Sequence, residues 1–200
     1  MNPPPLLQRL VVLISGNGSN LQAILDASAS GLLPARVVAV YSDRRQAYGL
    51  ERARRAGVPA VYWPKSKNQE RQEYDATLAE QVASFQPDWV ILAGWMRLLS
   101  YTFLEHFSPR VINLHPALPG TFPGTHAIQR AFEAYQQGQI RHTGVMVHLV
   151  PDEGVDSGPV LASQTVPIDP QDTLETLEAR VHSVEHSLLV STLKDLFRKE

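Results

Sequence analysis

The sequence predicts an α/β fold: a Rossmann-like, doubly wound, mostly parallel sheet, with a β-hairpin added toward the C-terminus and a long terminal helix. Three observations predict it. Short runs such as residues 10–14 and 89–94 are continuously apolar, as strands buried on both faces are. Helical patterns separate these runs, so strand and helix alternate along the chain. The last two strand-like runs, in contrast, follow one another with only a turn-rich loop between them.

Residues 10–14 form the first strand, Ser15-Gly16-Asn17-Gly18-Ser19-Asn20 follows at once, and a helix then runs with Leu21, Ile24 and Leu25 on one face to Gly31. Residues 37–41 are the second strand. A helix over 47–56 ends at Gly57, a C-terminal glycine stop. The third strand, 58–63, is interrupted by Pro59, which places it near a sheet edge. Residues 69–85 form an amphipathic helix with Tyr74, Leu78, Val82 and Phe85 on one stripe, and Pro87 bars its continuation. The fourth strand, 89–94, leads into Trp95-Met96-Arg97-Leu98-Leu99 and a short helix over 101–107. Val111-Ile112 enters the sheet again and closes on Asn113-Leu114-His115-Pro116. After a proline-rich loop, residues 127–137 are helical. Residues 143–150 and 159–168 make the hairpin, joined by the acidic loop 151–158. Asp172, with Glu175 three residues on, is the expected N-cap of the last helix, which points Leu174, Leu177, Val181, Val184 and Leu188 inward. A strand order of 3-2-1-4 would set the glycine loop and the 95–99 segment across one crevice, at the carboxyl ends of the strands.

One domain over residues 1–200 accounts for the chain, with residues 1–8 a flexible, proline-rich lead-in that lacks the basic start of a signal peptide. A net charge of −2 weighs against nucleic acid or an anionic membrane as the main partner. No apolar run approaches the roughly 20 residues of a membrane helix. The absence of cysteine removes disulfides, thiolate nucleophiles and thiolate metal sites, and fits a reducing, cytoplasmic setting. Small molecules are the expected partners. The oligomeric state is left open, a homodimer included.

The glycine loop ends a strand and opens a helix, so the N–H groups of Gly18, Ser19 and Asn20 could point at an anion. A dinucleotide fingerprint would need a third glycine where Leu21 stands, so a monophosphate fits better; a tight turn with a Ser or Asn cap accounts for the loop equally well. Asp43 suits a ribose contact or a polar turn. Asn113 and His115 alternate on one strand and therefore share a side. A strand-end histidine is most often structural, but Asn113 beside it and Pro116 after it favour chemistry. Asp156 could reach His115 and favour its charged form, although local sequence does not show that pairing. Asp152 and Glu153 read as a solvated turn, His148 as structural or supporting, and Arg52-Ala53-Arg54-Arg55 as a solvated helix face. His182 and His186 stand i, i+4 without the glutamate of a metalloprotease pattern, and no other histidines share a ligand spacing, so no metal is expected. No nucleophile elbow is present.

Taken together, Ser15 to Ile24, Ala93-Gly94-Trp95-Met96-Arg97, Ile112 to Pro116 and Val155-Asp156-Ser157-Gly158-Pro159 resemble the glycinamide ribonucleotide formyltransferase family, the folate-dependent formyl-transfer enzymes of purine biosynthesis. The resemblance runs from about residue 10 into the last helix. It implies the formyltransferase fold and two substrates, glycinamide ribonucleotide as acceptor and 10-formyltetrahydrofolate as formyl donor. It matches Gly18, Ser19 and Asn20 to the acceptor-phosphate loop, and His182 and Glu185 to further acceptor contacts. Arg71, Met96, Arg97, Leu98, Leu99 and Asn113 match donor contacts. Asn113, His115 and Asp156 match the catalytic trio. On this reading the Asn113 amide and a protonated His115 hold the developing formyl oxygen, His115 shuttles the proton, and Asp156 keeps His115 charged. Two points qualify the resemblance: His115-Pro116-Ala117-Leu118-Pro119-Gly120 stands where His-Pro-Ser-Leu-Leu-Pro is common, which bears on the loop's path, and the family uses residue types besides histidine at position 182.

Related readings fit less well. A methionyl-tRNA formyltransferase would need a tRNA-holding domain and a formyltetrahydrofolate hydrolase an N-terminal regulatory one. A folate- or nucleotide-binding module without catalysis would not need the trio, and Leu21 disfavours a dinucleotide oxidoreductase.

Overall fold

A computed structural model describes residues 7–198. Seven strands form one sheet: β1 Gln8–Ile14, β2 Ala35–Ser42, β3 Ala60–Tyr62, β4 Trp89–Leu92, β5 Val111–His115, β6 His142–Leu149 and β7 Val160–Pro167. Their order is β3-β2-β1-β4-β5-β6-β7. The first five strands are parallel, and β6 and β7 add antiparallel. The expected 3-2-1-4 order therefore holds, with the switch between β1 and β4.

Helices α1 Ser19–Ala29, α2 Tyr48–Arg55, α3 Arg71–Ala83, α4 Tyr101–Phe107, α5 Ala127–Gln136 and α6 Leu174–Phe197 cover the sheet in two layers. Alternation along the strands divides the core. Leu10, Val12 and Ile14 pack toward α1, α2 and α6, whereas Val11 and Leu13 pack toward α3 and α4. Both clusters are almost dry, which is why the strands read as unbroken apolar runs. Among the described residues, no helix is long and apolar enough to cross a membrane.

Three expectations need correction. Gln8 is not lead-in but the first residue of β1, pairing with Ala35, and residues 1–6 of the expected lead-in lie outside the described residues. The third strand is only Ala60–Tyr62, because Pro59 has no N–H to give a ladder. The N-cap of α6 is Thr173, not Asp172, and its capping box closes on Thr176 rather than Glu175. The Asp172 carboxylate is engaged elsewhere, in a two-toothed pair with Arg180 at 2.6 Å to each oxygen. That pair holds its pKa well below the usual carboxylate range.

The fold positions the site through β5. Ile112 and Leu114 enter the core beside α5 and α6, so Asn113 and His115 must point to the opposite face. Farther along the sheet that face is covered by α3 and α4. At β5 and β6 it is bounded by loops 116–126 and 150–159, which leaves an open cleft.

Candidate active site

His148 stands directly opposite Asn113 in the antiparallel β5–β6 ladder, so the two side chains emerge side by side. The His148 Nδ1–H donates to the Leu149 carbonyl at 2.8 Å. Its Nε2 therefore carries the lone pair and accepts from Asn113 Nδ2 at 3.1 Å. The second Asn113 N–H donates to Asp156 Oδ1 at 3.0 Å. Flipping the amide would set its oxygen against a carboxylate, so the network fixes its orientation.

Asp156 arrives from the hairpin loop and joins the three. Its Oδ2 lies 3.3 Å from His115 Nδ1 and accepts the Gly124 N–H at 2.8 Å. Its Oδ1 is also 3.5 Å from His148 Nε2. The loop closes tightly enough at Gly158 that a Cβ there would fall 1.9 Å from the Leu149 carbonyl oxygen. On its other side the His115 ring places Nε2 3.1 Å from the Phe122 carbonyl, to which an Nε2–H donates. Nδ1 is then the nitrogen free to change protonation, and it faces the carboxylate.

The electrostatics differ from the sequence reading. Asp156 and the Phe122 carbonyl both favour a charged His115, but burial outweighs them and lowers its pKa below the ordinary histidine value. Resting His115 is neutral at pH 7, not held charged by Asp156. Asp156 stays ionised: desolvation pushes its pKa up, but the adjacent His148 ring, the Gly124 N–H and the facing His115 bring it below the usual value. Both Asn113 N–H groups are engaged within the cluster, so one of them would have to exchange partners to meet an incoming oxygen.

The glycine loop forms a second centre. Gly18 has φ 74 and is the N-cap of α1, and no side chain caps this helix. The Ser or Asn cap of the tight-turn reading is thus absent, and the first-turn N–H groups, including those of Ser19 and Asn20, have no side-chain acceptor. A Cβ on Gly18 would lie 2.6 Å from Gly49 Cα, so loop and α2 meet backbone to backbone. Arg52 holds the loop: its guanidinium donates to the Asn17 carbonyl and side chain at 2.9 Å each and to Gln22 at 3.2 Å. Arg52 is therefore not merely solvated, while Arg54 and Arg55 pair with Glu51 in solvent. The α6 residues reach the same place. Buried Glu185 accepts from Asn20 Nδ2 at 3.4 Å and bonds His182 Nδ1 at 2.5 Å, which raises the His182 pKa.

The two centres adjoin at the sheet's switch point. The Ser15 N–H donates to the Gly94 carbonyl, and Ser15 Oγ accepts the Met96 N–H while donating to Asp43. Asp43 in turn pairs with Arg97 at 3.1 Å, so it is a structural acid rather than a free ribose ligand. Leu99 is buried in the cleft wall, and Met96 and Leu98 are about half exposed at its mouth. Arg71, at the start of α3, pairs with Glu153, whose other oxygen accepts the Tyr101 N–H at 2.8 Å. Glu153 thus ties the hairpin loop to α3 and α4. His148 is the cluster member that sequence reasoning set aside. Its only signal was a histidine in the otherwise apolar stretch 145–149, and the partner it meets depends on an unreadable register. Among the described residues, no group of three or more acids and histidines is placed to hold a metal ion.

Comparison with known proteins gives a consistent result. A family model described as "Formyl transferase" matches residues 8–193. Phosphoribosylglycinamide formyltransferase of Schizosaccharomyces pombe is 49% identical, over 96% of this chain and 98% of that protein. The Escherichia coli K12 protein of the same name is 42% identical over 90% and 82%. The crystal structure of glycinamide ribonucleotide transformylase 1 from Symbiobacterium toebii superposes with a TM-score of 0.92 at 40% identity, covering all of this chain and 92% of that one.

Proposed function

Because the chain belongs to the formyl transferase family, we propose that it transfers the formyl group of 10-formyltetrahydrofolate to the amine of glycinamide ribonucleotide, with Asn113, His115 and Asp156 as its catalytic groups. The observation that carries this reading is the convergence of those three side chains, with His148, at the base of one cleft.

The cleft suits the donor. Leu92, Leu99 and Val150 give an apolar wall for a flat ring system, and Arg97 and Arg71 beyond it suit a carboxylate tail. The acceptor's phosphate belongs at the uncapped start of α1, on Gly18, Ser19 and Asn20, with His182, whose charged form Glu185 favours, beside it. Glu185, acceptor-only when ionised, suits a ribose hydroxyl.

Neutral His115 is equipped to act as a base. As the amine nitrogen bonds to the formyl carbon, Nδ1 takes a proton from that nitrogen. The imidazolium so formed lies against Asp156, which repays the cost of charging a buried ring. Nδ1 then returns the proton to the folate nitrogen as its bond to the formyl carbon breaks. The Asn113 amide can stabilise the formyl oxygen by exchanging its 3.1 Å bond to His148 for that oxygen, keeping its bond to Asp156.

Following tetrahydrofolate release from 10-formyltetrahydrofolate, with and without glycinamide ribonucleotide, tests the proposal. Release should require the acceptor. Equal release without it would make the protein a hydrolase, and no release in its presence would leave a binding module.

A further inference from the structure

Loop 117–124 is held by a side chain with no role in the reaction so far. Arg130 lies in the first turn of α5, whose Ala127, Ile128 and Ala131 are buried in the core. A cation there works against the helix dipole, and the Nε–H is buried without an acceptor. The guanidinium nevertheless meets two carbonyls: Nη2 donates to Phe122 O at 2.7 Å and to Pro123 O at 2.5 Å. Its plane also stands over the Phe122 ring, 5.9 Å from the centroid.

Phe122 has φ 45, a left-handed conformation that a bulky aromatic rarely adopts and that its surroundings must hold. Its carbonyl is the acceptor for His115 Nε2. Two residues on, the Gly124 N–H donates to Asp156. One short stretch therefore grips both members of the His115–Asp156 pair, and Arg130 grips that stretch.

We propose that Arg130 is a positioning residue for the transfer reaction, holding the Phe122 carbonyl against His115 Nε2 and, through the same loop, the Gly124 N–H against Asp156. A carbonyl oxygen has two lone pairs, so it serves both donors at once. The consequence is a fixed His115 ring, with its proton committed at Nε2 and Nδ1 kept for chemistry. This rests on the role assigned to His115 above, and the first readout below needs no turnover.

The charged or titratable groups facing His115 are Asp156 from the hairpin loop, His148 from β6 and Arg130 from α5. As a nearby cation Arg130 lowers the histidine's pKa, and the carbonyl it holds raises it by the larger effect. The sign of the change on removing Arg130 therefore separates two roles. In Arg130→Met, NMR titration should show His115 protonating at lower pH than in the parent, because the carbonyl is released. Turnover should fall about 10- to 100-fold, as misplaced catalytic groups cost, with the acceptor KM within about twofold. Arg130→Lys, which keeps a charge and a donor, should restore the titration and part of the rate. A His115 titration that rises or does not move in Arg130→Met overturns the proposal, as does a parental kcat in a folded variant. If Arg130→Met does not fold, the lysine variant decides: parental titration with a reduced kcat supports the proposal, and parental values of both overturn it.

Discussion

Replacing Asp156 by asparagine removes one charge from the cluster and little else. Asp156 has φ 49, and asparagine tolerates that left-handed conformation as few residues do. Its amide oxygen can still accept one of the two N–H groups now bound, from Asn113 at 3.0 Å or from Gly124 at 2.8 Å. What disappears is the attraction between the carboxylate and the imidazolium that forms during transfer. At the 3.3 Å separation seen here, two unit charges attract by about 5 kcal/mol at an effective dielectric of about 20. Breaking one side of a buried pair costs about 3–5 kcal/mol in general. With the Asp156 side chain only 11% exposed, the same range applies. It corresponds to a kcat about 10² to 10⁴ lower at saturation with both substrates. The assay is steady-state turnover with paired NMR titration of His115, whose pKa should fall further once Asp156 no longer raises it. A folded Asp156→Asn protein that turns over within about tenfold of the parent would refute the charge-stabilisation argument.

Further outcomes follow from the same geometry. Burial puts the His115 pKa below the ordinary histidine value of about 6.5, so kcat/KM should decline on the acid side with a midpoint below that value. The sign is fixed by the role: protonated His115 cannot accept the amine proton, so activity is lost as pH falls through the folded pKa. The same depressed pKa opposes folding as pH drops below the unfolded value. Gly18→Ala should destabilise the protein by about 1–2 kcal/mol from the left-handed backbone alone, and by more once the methyl meets Gly49. Urea unfolding measures the loss, and parental stability would mean that the loop and α2 do not meet as described.

Much of this architecture was readable because buried parallel strands impose a simple pattern. The continuously apolar residues 10–14 and 89–94 read as strands packed on both faces, the second ending in the structure at Leu92. Asn113, His115 and Asp156 were nameable as a trio only through the family resemblance that residues 112–116 and 155–159 carry. His148 was not, since its meaning lies in the register that sets it opposite Asn113. The protonation of His115 was unreadable for a different reason. Its neighbour's charge can be guessed from a sequence, but the depth of its burial cannot, and burial wins here. Arg130 was invisible on both counts: its partners are carbonyls, which every residue carries.

The most direct test of the account is His115→Ala, with turnover and glycinamide ribonucleotide binding measured on the same preparation. The kcat should fall by at least about 10² to 10⁴, the usual share of a positioned acid–base group. The acceptor affinity should largely survive, because the glycine loop, His182 and Glu185 are joined to one another and not hydrogen-bonded to His115. Near-parental turnover, or loss of acceptor binding in step with turnover, would contradict it.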